Sequence, residues 1–165
     1  MKILTVGRIS PTKNYEVLIN AAKILKQKNF DFQVTIVGEP ALEQDREYEN
    51  QIRQKSSDLP MQFVGKKTHK ELPNIYCSHD LFVHMSQTGS LDRAVLEAMA
   101  CGMRVLSCND ASRGFLPESW IFSPGDAEEL AEKIIHPSSE VFDVRQYVVE
   151  HHDLKKLISR ISSLL

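Results

Sequence analysis

Short apolar runs alternate with amphipathic stretches along the chain. The runs KILTVG (2–7), QVTIVG (33–38), MQFVG (61–65), DLFVHMS (80–86), RVLSC (104–108) and the weaker SWIFS (119–123) read as strands. Helical patterns lie between them. In residues 14–30, Val17, Leu18, Ala21, Ala22 and Leu25 make one stripe, with lysines on the other face. Residues 42–57 put Leu42, Tyr48 and Ile52 on one side, and a short helix is expected from about His69 to Ser78. Residues 91–100 predict a helix stopped by Gly102. Asp126 is placed to cap AEELAEKII (127–135), and residues 140–164 predict one or two closing helices.

Strands that are apolar almost throughout are buried on both faces, as in a parallel sheet between two helical layers. With right-handed crossovers, this alternation predicts one α/β domain over residues 1–165. It is a Rossmann-like three-layer α/β/α sandwich with six parallel strands in the order 3-2-1-4-5-6. Ligands of such sheets bind at the carboxyl ends of the strands where the order reverses, here between strands one and four. The loops that meet there are Gly7-Arg8-Ile9-Ser10-Pro11-Thr12-Lys13 and Ser86-Gln87-Thr88-Gly89-Ser90.

Composition acts mainly by exclusion. The 165 residues suit one domain with a true core, and 42% hydrophobic with 25% charged residues rules out a disordered chain. A net charge of -2 gives no basic footprint for nucleic acid. No apolar run is long enough to span a bilayer, and residues 1–7 read as a strand rather than a signal peptide. Cys77, Cys101 and Cys108 form no CxxC pair and no metal-ligand spacing, and so sparse and odd a set points to a reducing, cytoplasmic setting.

In the first loop, Gly7, Arg8 and Lys13 put two cations on a strand-to-helix turn, which suits an oxyanion such as a diphosphate. The loop is neither GxxxxGK[ST] nor GxGxxG, and it reads equally as a solvated turn. In the second loop, Thr88, Gly89 and Ser90 would let a ligand approach the backbone and the free amides of the next helix. Ser90 reads equally as a simple helix cap, with Asp92 a first-turn acid and Arg93 a solvated base. Glu97 sits within the apolar string Ala94-Val95-Leu96-Glu97-Ala98-Met99-Ala100, so its carboxylate needs a partner, for which a ribose diol would serve. Gly38-Glu39-Pro40 and Gly65-Lys66-Lys67 would wall a nucleotide pocket or simply turn the chain. His84 faces the same edge, where a lone histidine is more often structural than catalytic.

Together these segments resemble the donor-binding C-terminal domain of glycosyltransferase family 4, one half of a two-domain GT-B enzyme. VGRISPTKNYEVLINA resembles the family's VGRL-x-x-x-KG-x-x-x-L-I-x-A, with Asn14 where Gly is usual. Phe63 to Val83 is similar to its FVG…L-x-x-x-Y-x-x-x-D-L-F-V segment. LEAMACGMRVLSC resembles its signature helix and following strand, and SPGDAEELAEKI its PGD-x-x-x-LA segment.

The resemblance implies a retaining sugar transfer from a nucleotide-diphosphate donor (UDP-, GDP- or ADP-linked) to an acceptor hydroxyl, with no metal expected. It gives Arg8 and Lys13 the diphosphate and the charge on the departing nucleotide. It gives Glu97 the ribose hydroxyls, as the second Glu of an E-x7-E motif. Gly7 and Gly38 join the substrate site, Val64, Gly65 and Lys66 with Leu72 form the base wall, and Thr88, Gly89, Ser90 and Leu91 meet the phosphates and the sugar. One departure touches the site: Gly89 stands where the family's first Glu contacts the sugar.

The resemblance also implies that an N-terminal acceptor domain lies outside these 165 residues. The chain then reads as an excised or truncated donor half that binds nucleotide and turns over poorly, with peripheral membrane association a property of the full-length enzyme. Two other classes stay open. One is a non-catalytic nucleotide-sugar module, or a subunit that pairs with a separate chain. The other is a different α/β protein, though the missing GxGxxG argues against a dinucleotide oxidoreductase and the Arg8–Lys13 charge against a phosphoacceptor.

Overall fold

The computed structural model describes residues 1–152. Strands β1 (Lys2–Val6), β2 (Gln33–Val37), β3 (Met61–Phe63), β4 (Leu81–His84) and β5 (Arg104–Ser107) form a parallel sheet in the order β3-β2-β1-β4-β5. Helices α1 (Tyr15–Gln27), α2 (Asp45–Lys55), α3 (Leu72–Cys77), α4 (Arg93–Ala100), α5 (Ala127–Ile135) and α6 (Val144–His151) cover it. In register, Ile3 lies beside Val34 on one side and Leu81 on the other. The order therefore reverses between β1 and β4, as the apolar pattern predicts.

The central strands are apolar because both faces are covered: Ile3, Leu4, Val34, Ile36, Phe82, Val83, Val105 and Leu106 are wholly buried. The α1 stripe is buried as expected, through Val17, Leu18, Ala21, Ala22 and Leu25, and α1 packs on α2 and α5. On the other face α4 packs on α3 and α6. Asp126 caps α5, its carboxylate accepting from the Glu129 amide at 2.8 Å.

Three expectations are corrected. The sixth run contributes no strand; Ile121 makes a single parallel bridge to Ser107. Glu118–Trp120 is a 3-10 turn, and Pro124-Gly125 follows at once, so too little extended backbone remains to build a ladder. The helix expected from residue 91 starts at Arg93, because Asp92 is extended (φ -76, ψ 131). Its cap position is therefore Asp92 and not Ser90, which puts Glu97 just beyond the first turn. Of the closing helix, α6 covers Val144–His151, and residues 153–165 lie outside the described ones.

Candidate functional site

The carboxyl ends of the first three strands finish in glycine. The Gly7 amide donates to the Val37 carbonyl at 3.0 Å, and the Gly38 amide to the Gly65 carbonyl at 3.0 Å. The hydrogen bonding thus continues one residue beyond β1 and β2 and two beyond β3. At Gly38 the fit is absolute: φ is +149, and a Cβ there would lie 1.8 Å from the Gly7 carbonyl oxygen. Beyond this line Gly7, Arg8, Gly38, Glu39, Lys66 and Leu72 help to line a cavity of about 430 Å³. Arg8 is exposed there, while Lys66 reaches Glu39 across 3.3 Å. Val64 is half-buried against the core, its amide donating to the Ile36 carbonyl, and it is not among the residues lining this cavity.

The turn after β1 is a 3-10 segment, Pro11–Lys13, ended by Asn14 in the left-handed region (φ 51, ψ 49). Asparagine accepts that conformation at little cost, which explains how it serves where glycine would. The turn carries Lys13 back over Gly7: a Cβ on Gly7 would lie 3.6 Å from Lys13 Cε. Pro11, Thr12 and Asn14 then face Gln87 and Thr88 across a cavity of about 260 Å³. The two loops singled out by topology are thus opposite walls of one groove.

On the far wall, Gly89 takes φ +71, and Thr88 Oγ1 lies 3.1 Å from Ser90 Oγ. The loop is anchored from below. Buried Asn109 donates through Nδ2 to the Ser90 carbonyl at 3.1 Å, while its Oδ1 accepts from the Ala111 amide at 2.8 Å. Leu91 is half-buried against the core, which fixes the approach to α4. No side chain caps α4, and no acceptor among the described residues takes the Arg93 and Ala94 amides. These amides carry the positive end of the helix dipole to the groove.

Asp92 is more than a first-turn acid. Its Oδ2 accepts from Lys13 Nζ at 2.5 Å and from His84 Nε2 at 2.6 Å. The His84 hydrogen bond, and then Lys13, hold the Asp92 carboxyl far below the usual carboxylate range, against the opposing pull of burial. Residue-by-residue reading missed this arrangement. Its one visible signal is a histidine ending an otherwise apolar strand.

Glu97 projects from α4 toward α3. Its Oε2 accepts from the Tyr76 hydroxyl at 2.9 Å, and Oε1 accepts from none of the described residues. Burial, and then the Glu97 charge, push the Tyr76 phenol well above its ordinary value. Glu97, Tyr76, Leu72, His69 and Cys101 line a cavity of about 240 Å³. Leu72 is common to this cavity and the one holding Arg8. The expected residues thus fall along one edge of the sheet, with Leu72 between the Arg8 end and the Glu97 end.

Comparison with known proteins finds the family model for glycosyl transferases group 1 over residues 1–140. Among curated proteins, the amylovoran biosynthesis glycosyltransferase AmsK of Erwinia amylovora is 30% identical over 154 residues, covering 87% of this chain and 37% of its own length. The sulfoquinovosyl transferase SQD2 of Arabidopsis thaliana is 28% identical over 142 residues, covering 80% of this chain and 25% of its own length. The chain therefore spans about a quarter to two fifths of these relatives. Among solved structures, the catalytic domain of cholesterol-alpha-glucosyltransferase from Helicobacter pylori is 30% identical with a TM-score of 0.69, covering 81% of this chain and 83% of that one. Anabaena Alr3699/HepE in complex with UDP shares the fold at a TM-score of 0.85 and 21% identity, covering 99% of this chain and 48% of that one.

Proposed function

Because the chain belongs to the group 1 glycosyl transferases, we propose that it is the donor-binding part of an enzyme that moves a sugar from a nucleotide-diphosphate donor to an acceptor hydroxyl. The observation that carries this reading is that Lys13 meets the start of α4, with its free amides, at the β1–β4 reversal, while Arg8 on the same loop lines the adjoining cavity. A diphosphate there meets an Arg fork, an ammonium and a helix N-terminus. When the bond from the anomeric carbon to the phosphate oxygen breaks, its electron pair stays on the departing diphosphate. The same three groups then face the growing charge.

The remaining residues divide the donor between them. The base lies in the cavity walled by Gly38, Lys66 and Leu72, against the backbone of Val64 and Gly65. The free Glu97 oxygen accepts from the ribose hydroxyls. The sugar extends past Thr88, Gly89, Ser90 and Leu91, where Gly89 offers backbone but no side-chain acceptor. Transfer occurs with retention at the anomeric carbon. The groove is open on one side, and a second domain or chain that brings the acceptor would close it and exclude water.

Isothermal titration with UDP, GDP and ADP tests the reading on this chain. Millimolar or tighter binding of at least one is expected. Failure of all three to bind contradicts it. UDP is the first probe because HepE, a protein of the same fold, is known in complex with UDP and with UDP-glucose.

A further inference from the structure

An acid at the start of a helix ordinarily turns back to cap the first amides, as Asp126 does at α5. Asp92 does not. Its side chain makes no cap hydrogen bond, and its Oδ2 is held instead by Lys13 and His84. The support continues below: His84 Nδ1 lies 3.2 Å from Ser107 Oγ, which lies 2.9 Å from Ser112 Oγ. His84, Ser107 and Ser112 are all buried. A hydrogen-bonded chain therefore runs from Ser112 and Ser107 through His84 and the cap residue of α4 to the cation on the turn after β1.

This arrangement has two physical consequences. Lysine is a compact charge on a flexible four-carbon stem, and an unrestrained stem would spread that charge over many rotamers. A carboxylate that is itself immobile confines it. The same carboxylate also repels any second anion brought to that lysine, in a site only partly screened by solvent: Lys13 and Asp92 are 16% and 28% exposed.

We propose that Asp92, held by His84, is a positioning residue for Lys13: it fixes the ammonium beside the anion site and, as its counter-charge, keeps diphosphate binding weak. Donor affinity at this edge is then set below what Arg8 and Lys13 alone would give, and the ammonium is already in place when charge develops on the leaving group. The proposal deepens the nucleotide-sugar reading and rests on it for the identity of the anion.

The test compares the whole chain with its Asp92→Asn and His84→Gln variants. The titrated probes are UDP, inorganic pyrophosphate and uridine, and the Lys13 ammonium is followed by nitrogen-15 NMR of the lysine side chains. Asp92→Asn should bind UDP and pyrophosphate about three- to tenfold more tightly, with uridine unchanged. It should also abolish the hydrogen-bonded Lys13 ammonium signal. His84→Gln keeps the carboxylate charge, so pyrophosphate affinity should stay within about twofold while the ammonium signal broadens.

A folded Asp92→Asn protein with unchanged or weaker pyrophosphate binding, or with the Lys13 signal intact, overturns the inference and leaves the donor-binding reading standing. Absence of UDP and pyrophosphate binding in wild type and variants alike overturns both.

Discussion

A Cβ at residue 7 would sit in ordinary contact with the Lys13 stem, and the Glu97 carboxylate, half-buried beside Leu72, Pro73 and Cys101, is satisfied by the Tyr76 hydroxyl. If Arg8 meets the diphosphate and Glu97 the ribose, their variants should separate. Arg8→Ala should weaken UDP binding about tenfold or more with little change for uridine, and Glu97→Gln should reduce the preference for UDP over its deoxyribose analogue. Equal losses on both ligands in either variant would reject that role.

Asp92 gives the residue scale a pH signature. Its folded value is depressed below an unfolded value near 4, so its contribution is complete above about pH 4 and fades as pH falls toward the depressed folded value. Asp92→Asn should therefore flatten the acid-side fall in stability, read from urea midpoints between about pH 2 and 6. An unchanged slope would show that Asp92 is not held ionised by His84 and Lys13.

The need of Glu97 for a partner was legible from its apolar neighbours. That the partner would be Tyr76 was not, because the pair spans 21 residues and two helices. The role of Asp92 was illegible for the same reason: Lys13 lies 79 residues away.

At the scale of elements, the strand ends are what make the site possible. Gly7 and Gly38 lie so close that the sheet cannot admit a methyl group at residue 38. Gly38→Ala should cost more than about 3 kcal/mol in denaturant unfolding, whereas Gly114→Ala, whose Cβ would lie 3.9 Å from the Ala111 oxygen, should fall within about 1 kcal/mol. Similar effects at the two positions would contradict the close approach of β1 and β2.

Strands β1 to β5 and helices α1 to α5 were readable because their periodicity comes from burial, and burial decides these elements. The last run failed as a strand for a reason outside hydrophobicity. Its residues are apolar and buried at Trp120, Ile121 and Phe122, yet a 3-10 turn before them and Pro124 after them leave only the Ser107–Ile121 bridge. The start of α4 was misread because Leu91 packs as if helical while Asp92 is extended, and the pattern of apolar residues does not distinguish the two.

For the whole molecule, topology does the placing. A β3-β2-β1-β4-β5 order brings the turn after β1 against the loop after β4, although more than 70 residues separate them. The prediction of that order from alternation and handedness was enough to name both loops, and the structure adds the braces behind them: Asn109 under Ser90, and Ser107 under His84. Among the described residues, no helix is long and apolar enough to cross a membrane.

The central claim is the place where the nucleotide binds. Backbone amide NMR of the chain titrated with UDP tests it most directly. The amides of Gly7, Arg8, Lys13, Thr88 to Ala94 and Gly65 to Lys66 should shift together along one saturating curve, while those of α5 and the Pro124-Gly125 turn stay still. Saturable shifts confined to any other face, with the β1–β4 groove unmoved, would contradict the account.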